Sequence, residues 1–345
     1  MKIWQRYIFF QIAKTFLFIL IAIFTIYILV DLSINGVQLL FDEGVLFSDA
    51  ALYYSRQFAM HLELFLPLTL LFTTLRVLFD LNMHREWAAL QAAGLSSKKL
   101  LLPFFFFASL LTAICYINSQ WFAPDALDEA SAFKYQHLKK KKKRSPVFTL
   151  SLSDDSELIY QHYDPKKKEL SDVFWIKTPN DIWHFKILEI PHMNARFADH
   201  FIQKDQLIKN NSFDTITLTD LPWDPNASLS RFVPFENRPI STLFSQAKTA
   251  SSAKAGIFSH LYYKLALPLL SFLILFAISP IALRFSRNLS PFLIAACSLF
   301  GFIALKTILD GMLILGENQV LPASFAIWSP LILLFALSLR PFLRL

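Results

Sequence analysis

The sequence predicts an α-helical membrane protein with six transmembrane helices, three before and three after an inserted all-β domain. Three observations carry that prediction. Of the 345 residues, 54% are hydrophobic and 15% aromatic, with Phe alone contributing 36, which is too apolar for an ordinary soluble domain of this length. Six stretches reach the about 20 mostly apolar residues that a helix needs to cross a hydrocarbon core of roughly 30 Å. Between the third and fourth stretches apolarity falls away, leaving a long segment of short β-branched and aromatic runs punctuated by turn residues.

The first stretch, 9–32, follows Met1-Lys2-Ile3-Trp4-Gln5-Arg6. It is long and no small-residue cleavage pattern follows it, so it is expected to stay as a membrane helix rather than leave as a signal peptide. The second and third stretches are 58–79 and 100–122; the fourth, fifth and sixth are 257–283, 291–312 and 321–339. The chain thus divides into 1–122, with three helices and a short cytoplasmic helix at about 84–94; 123–256, the β domain; and 257–345, with the last three helices.

Loop charge gives the orientation. Lys2 and Arg6 precede the first helix, and Arg76, Arg85, Lys98 and Lys99 cluster between the second and third. Arg284 and Arg287 lie between the fourth and fifth, and Arg340 and Arg344 follow the sixth. The alternate loops carry Asp31, Asp42, Glu43 and Asp49, then Asp310 and Glu317, with Arg56 as the chief exception. Positive charge stays inside, so both termini are expected in the cytoplasm and the central domain outside, in the periplasm of a bacterium. The net charge of +7 then reports topology first, and a nucleic-acid partner is not expected.

Strands are expected at 147–152, 157–163, 173–177, 182–190 and 212–218. Apolar and polar residues partly alternate over 182–187, which fits a sheet with one exposed face or one that lines an apolar groove. Residues 241–255 read as a loop or helical connection back to the membrane.

Catalytic signatures are missing from the sequence. It has no G-x-x-x-x-G-K-[ST] phosphate loop, dinucleotide-binding glycine fingerprint, H-E-x-x-H or G-x-S-x-G. The eight His residues show no metal-ligand spacing, and Cys115 and Cys297, each inside an apolar run, are not expected to pair. Asp154, Asp155 and Asp224 read as turn residues rather than metal ligands. No catalytic residue, metal or directly bound cofactor is expected, and any uphill work must draw on a partner.

The most informative stretch is His84-Arg85-Glu86-Trp87-Ala88-Ala89-Leu90-Gln91-Ala92-Ala93-Gly94-Leu95-Ser96-Ser97-Lys98-Lys99. Ala, Leu, Glu and Gln favour a helix, Gly94 suits the position just past its end, and Ser96 or Ser97 suits the cap of the next helix. Trp87 and Leu90 fall on one face. Two readings stand: an interfacial helix with Trp87 at the lipid headgroups, or a coupling helix that docks in a groove of a cytoplasmic ATPase through Arg85 and Glu86.

The order R-E-x-x-A-L-x-A-A-G-[IL]-S after the second helix resembles the lipopolysaccharide-export permeases LptF and LptG. Pro67, the run His260-x-x-x-Lys264-Leu265-Ala266-Leu267-Pro268-Leu269 and the run Leu321-Pro322-Ala323-x-x-Ala326-x-Trp328-x-Pro330 resemble that family's second, fourth and last helices. The resemblance implies a periplasmic jellyroll-like β domain, although no residue motif in the segment itself carries that. It also implies a sister LptF/LptG-type permease, an LptB-type cytoplasmic ATPase dimer that uses the ATP, lipopolysaccharide as cargo, and periplasmic jellyroll bridge proteins. On the family motif, Arg85, Glu86, Ala89, Leu90 and Gly94 are the expected ATPase-coupling residues.

Ionisable groups at membrane depth are costly and usually face a bundle interior or cavity. Glu63, Lys264, Lys306 and, near the outer surface, Arg56 are lipid-binding candidates, and the Lys and Arg side chains suit charge-assisted bonds to the lipid phosphates that the resemblance implies at that depth. Against this, Lys306 and Asp310 are spaced to pair along one helix, and Lys264 has the length to snorkel. Residues 139–144, six consecutive positive charges, are a solvated face or an attractor of anionic cargo. A non-catalytic envelope-assembly scaffold and a periplasmic-face lipid- or glycan-modifying enzyme remain the alternative functions; the first needs no docking helix, and the second needs a convergent acid–base or metal constellation.

Overall fold

The structure, a computed structural model, describes residues 2–37, 47–126, 148–152, 156–164, 169–178, 180–189, 192–203, 207–218, 235–249, 254–283 and 290–345. Residues 139–144, Asp42, Glu43, Asp154, Asp155, Asp224, Arg284 and Arg287 therefore lie outside the described residues. By contacts the chain forms two units, Met1–Lys139 with Phe235–Leu345, and Lys140–Pro234.

The first unit is a helical bundle of α1 (Ile3–Val37), α2 (Phe47–Met83), α3 (Glu86–Ala92), α4 (Ser97–Ile117), α5 (Ile240–Thr249), α6 (Lys254–Ala266), α7 (Leu270–Leu283), α8 (Pro291–Glu317) and α9 (Ala323–Leu343). Among the described residues, six segments are long and apolar enough to span a membrane: Ile3–Ile34, Ser48–Met83, Ser97–Ala126, Lys254–Leu283, Pro291–Glu317 and Ala323–Leu343. Each contains or overlaps one expected stretch. The second begins well before residue 58, because Ser48–Gln57 is helical although too polar to stand out as apolar sequence.

Packing is centred on α2, α4 and α7. Leu70, Leu78, Leu81, Leu100, Leu101, Phe104 and Leu275 are fully buried there. In hydrocarbon such packing is driven by close van der Waals contact rather than by escape from water. By contrast, α1 buries little beyond Ile8, Ile12 and Phe16 and turns Phe10, Leu17, Phe18 and Ile21 outward. Pro268 has no amide hydrogen, and the α6–α7 crossing tightens into a 3-10 turn at Leu267–Leu269. Side chains of α4 meet the disturbed carbonyls: Tyr116 Oη donates to the Leu265 oxygen (2.7 Å) and Thr112 Oγ1 to the Pro268 oxygen (3.2 Å). Inside a membrane such substitutes make a broken helix tolerable.

The second unit is an antiparallel sheet of β1 (Phe148–Ser151), β2 (Glu157–Tyr160), β3 (His162–Asp164), β4 (Glu169–Thr178), β5 (Asp181–Glu189), β6 (Asn194–Gln203) and β7 (Leu207–Thr217). The order is β1-β2-β4-β5-β6-β7, with β3 beside β4 where β2 stops. The expected strand 157–163 is interrupted at Gln161, and β6 is a strand that the sequence reading does not contain.

The sheet is creased. Asp172 in β4 and Phe197 in β6 have left-handed φ values of 54° and 53°. Both face Lys186 of β5, between the pairs Ser171↔Ile187 and Val173↔Phe185 on one side and Phe185↔Ala198 and Ile187↔Arg196 on the other. Along this line buried residues are spaced by three instead of two: Leu170 then Val173, Phe185 then Leu188, Ala195 then Ala198. A flat strand would put each such pair on opposite faces. The crease keeps them in one core with Leu158, Tyr160 and Trp175, whose indole donates to Ser156 Oγ at 3.1 Å.

Candidate functional site

The first candidate lies at the bundle end that holds both termini. After α2, Arg85 turns the chain with φ 60° and α3 begins. Its end is closed by paired bonds, Gly94 amide to Gln91 oxygen (2.9 Å) and Leu95 amide to Leu90 oxygen (3.2 Å). This is a Schellman closure, and Gly94 supplies its left-handed residue at φ 86°. Ser96 caps α4 in extended conformation, and Ser97 Oγ accepts from Gln91 Nε2 at 2.8 Å.

Of the two readings for this helix, burial disfavours the headgroup anchor. Trp87 is 5% exposed and packs into the main core, with Leu90, Leu95, Trp4 and Leu345 against the same cluster. The opposite face is open: Arg85, Ala88, Ala89 and Ala92 are exposed, and Gly94 lies at its end. Small side chains there permit close approach by another surface. Glu86 is half-buried and accepts from Tyr7 Oη at 3.0 Å. Lys98 Nζ donates to the Leu343 oxygen at 3.0 Å, tying the start of α4 to the end of α9. Neither the Tyr7 nor the Leu343 contact is legible in local sequence, since each joins residues from distant parts of the chain.

The second candidate lies towards the opposite end. Glu63 of α2 accepts a hydrogen bond from Ser119, in the π turn Asn118–Phe122 that continues α4. Asn118 Nδ2 donates to the Ala59 oxygen at 2.8 Å beside it. Lys264 is 8% exposed; its ammonium donates to the Arg238 oxygen at 2.7 Å, and Glu63 and Glu236 are its charged neighbours. Lys306 donates to Tyr263 Oη (2.6 Å) and Asp310 (2.5 Å), and Tyr263 also bonds Asp310. His260 is bonded to Glu317 and stacked under Phe235 at 5.6 Å. Arg56 lies nearer the start of α2, half-buried.

Glu63 is a charged neighbour of both Lys264 and Tyr263, the residue that Lys306 bonds, so Glu63, Lys264 and Lys306 share one electrostatic cluster across α2, α6 and α8. Its cations Lys264, Lys306 and Arg238 stand beside the carboxylates Glu63, Glu236, Asp310 and Glu317, so the cluster is not a basic patch. An anion could be held there only by exchanging partners with a carboxylate. Arg238, buried and donating to Gln246 at 2.8 Å, escaped the sequence reading because it precedes α5 in a segment with no apolar periodicity.

On the sheet, polar groups are locally matched. His184 meets Asp172 at 2.6 Å and His200 meets Asp181 at 2.7 Å. Asp199 accepts from Lys209 (2.7 Å) and Ser212 (2.8 Å), and the lysine's hydrogen bond above all holds its carboxyl below the usual range. Among the described residues, no three His, Cys, Asp or Glu side chains gather as metal ligands would. Cys115 is buried and Cys297 exposed, both free.

A family model described as "Lipopolysaccharide export system permease LptF/LptG" matches residues 6–344 of the chain. No curated protein matches it.

Proposed function

The chain belongs to the lipopolysaccharide-export permease family LptF/LptG, and from that premise we propose that it is the membrane subunit of an ABC transporter that lifts lipopolysaccharide out of the inner membrane. It is a multi-pass inner-membrane protein and a permease, not an enzyme. In the proposed assembly it pairs with a sister LptF/LptG-type permease on an LptB-type ATPase dimer, which binds and hydrolyses the ATP. Both termini and α3 face the cytoplasm, and the creased sheet faces the periplasm. There the sheet passes lipid to jellyroll bridge proteins on the way to the outer membrane.

The observation that carries this reading is the mounting of α3. A short helix with Trp87 buried, its end closed at Gly94 and its first residue tethered to Tyr7 behaves as a rigid lever between α2 and α4. Force applied by the ATPase to Arg85, Glu86 and Ala89 passes through Leu90, packed against the core, to both spans without being absorbed in a loop. Arg56, Glu63, Lys264 and Lys306 are the proposed lipid-binding residues: the cations Arg56, Lys264 and Lys306 would contact lipid phosphates, and Glu63, a charged neighbour of Lys264, is the carboxylate that cargo would displace there.

The test is reconstitution. The permease pair and ATPase, placed in liposomes loaded with lipopolysaccharide, are expected to release lipid only with ATP and only when this chain is present. Glu86→Lys is expected to abolish co-purification of the ATPase. Retained association in a correctly inserted variant would remove α3 as the docking element, and ATP-independent release would remove the transporter reading in favour of a scaffold.

A further inference from the structure

We propose that a groove at the start of α6 binds one anionic glycerophospholipid, phosphate at Lys254 and acyl chain along Phe258 and Tyr262, at a site separate from the cargo path.

The groove has a volume of about 650 Å³, within the range of small-molecule sites. One wall is a stripe of α6. Lys254, Phe258 and Tyr262 are each four residues apart and so share one helix face. The two rings stack with centroids 5.9 Å apart. The other wall is the turn from α8 to α9, contributing Gln319, Leu321, Pro322 and Ser324. Gly316 forms the floor: a Cβ there would meet Ser259 Oγ at 2.6 Å and the Ala323 Cα at 3.6 Å. The groove therefore exists because α6, α8 and α9 converge closely at a glycine.

Depth and charge indicate the occupant. Lys254 is the first residue of one span, Ser324 the second residue of another, and Gly316 the last but one of a third. The mouth thus lies where three spans reach the edge of the hydrocarbon, at the level of lipid phosphates, and the aromatic stripe runs inwards from it. Lys254 is exposed and is the single charged residue among the described lining residues, none of which is acidic. A net-negative headgroup is therefore preferred over a zwitterionic one, whose ammonium has no carboxylate to meet. Arg56, Glu63, Lys264 and Lys306 line no part of this groove.

The experiment uses the full chain in nanodiscs of phosphatidylcholine with or without phosphatidylglycerol, with lipid retained per protein read by native mass spectrometry. Unaltered protein is expected to retain one phosphatidylglycerol. Lys254→Glu is expected to lower that retention about tenfold or more, the loss of one charge-assisted contact, and Lys254→Arg to preserve it. Ser324→Trp, which narrows the mouth without changing charge, is expected to lower it as well and covers the case in which Lys254→Glu does not insert. Lys248→Ala, an exposed lysine on α5, is expected to have no effect. Undiminished phosphatidylglycerol in both Lys254→Glu and Ser324→Trp would overturn the site. So would equal loss in Lys248→Ala.

Discussion

Tyr7, near the start of α1, donates its hydroxyl to the Glu86 carboxylate, the first residue of α3, at 3.0 Å. The bond joins the helix that precedes all others to the lever between α2 and α4. It also fixes the direction of the Glu86 carboxylate.

Glu86 and Tyr7 should therefore separate docking from coupling. Glu86→Lys reverses a charge and is expected to abolish ATPase co-purification. Tyr7→Phe removes only a hydrogen bond to a charged group, worth about 1.5–3 kcal/mol at most and less at an exposed position. It is expected to leave association intact while lowering lipopolysaccharide-stimulated ATP hydrolysis several-fold. Equal loss of association in both variants would mean that Tyr7 serves α3's folding rather than its orientation.

Gly94 carries a backbone cost rather than a packing one. Its φ is 86°, and a Cβ placed there would find nothing within 4 Å. Gly94→Ala is expected to cost about 1–2 kcal/mol, the strain of an L-residue in the left-handed region, and Gly94→Asn less. Gly316 is the contrast, since its Cβ would collide with Ser259 Oγ at 2.6 Å. At Gly316, Asn should be worse than Ala. Thermal unfolding in detergent checks both orders.

What the sequence shows follows what each pattern depends on. The spans were legible because hydrocarbon imposes length and apolarity on every one, and α3 because Gly94 is a local signal of its end. The crease was hidden. Strict alternation fails where Asp172 and Phe197 take left-handed φ, so Asn194–Gln203 has no period-two run to mark it as β6. The candidate phosphate contacts were located by depth alone, and depth does not reveal that Lys306 already holds Tyr263 and Asp310. Pairings such as His260 with Glu317 depend on helix rotation, which apolar residues on every face of a span leave undetermined.

Lys306 and Asp310 should behave as a pair before they behave as a site. Asp310 is 50% exposed, so removing one partner is expected to cost about 1 kcal/mol rather than the several of a fully buried pair. Lys306→Ala with Asp310→Ala together should cost less than the two single changes summed. Crosslinking to lipopolysaccharide tests the further role: Lys306→Ala and Lys264→Ala are expected to weaken it. Unchanged crosslinking in inserted protein would confine Lys306 to holding α8 to α6 and Lys264 to holding α6 to the segment at Arg238.

Asp199 gives the sheet a defined acid response. Lys209 and Ser212 hold its folded pKa below the unfolded carboxylate value, so between those two values the unfolded chain binds the extra proton. Its contribution is complete above the ordinary carboxylate range and is lost as pH falls through the depressed folded value. The group is on the surface, so salt should weaken the effect. Hydrogen-exchange protection of the β6–β7 amides is expected to stay level from neutral to mildly acidic pH and to drop below the carboxylate range. In Asp199→Asn, protection should be lower at neutral pH and should lose that part of the drop. A variant that retained the full acid drop would remove Asp199 as its source.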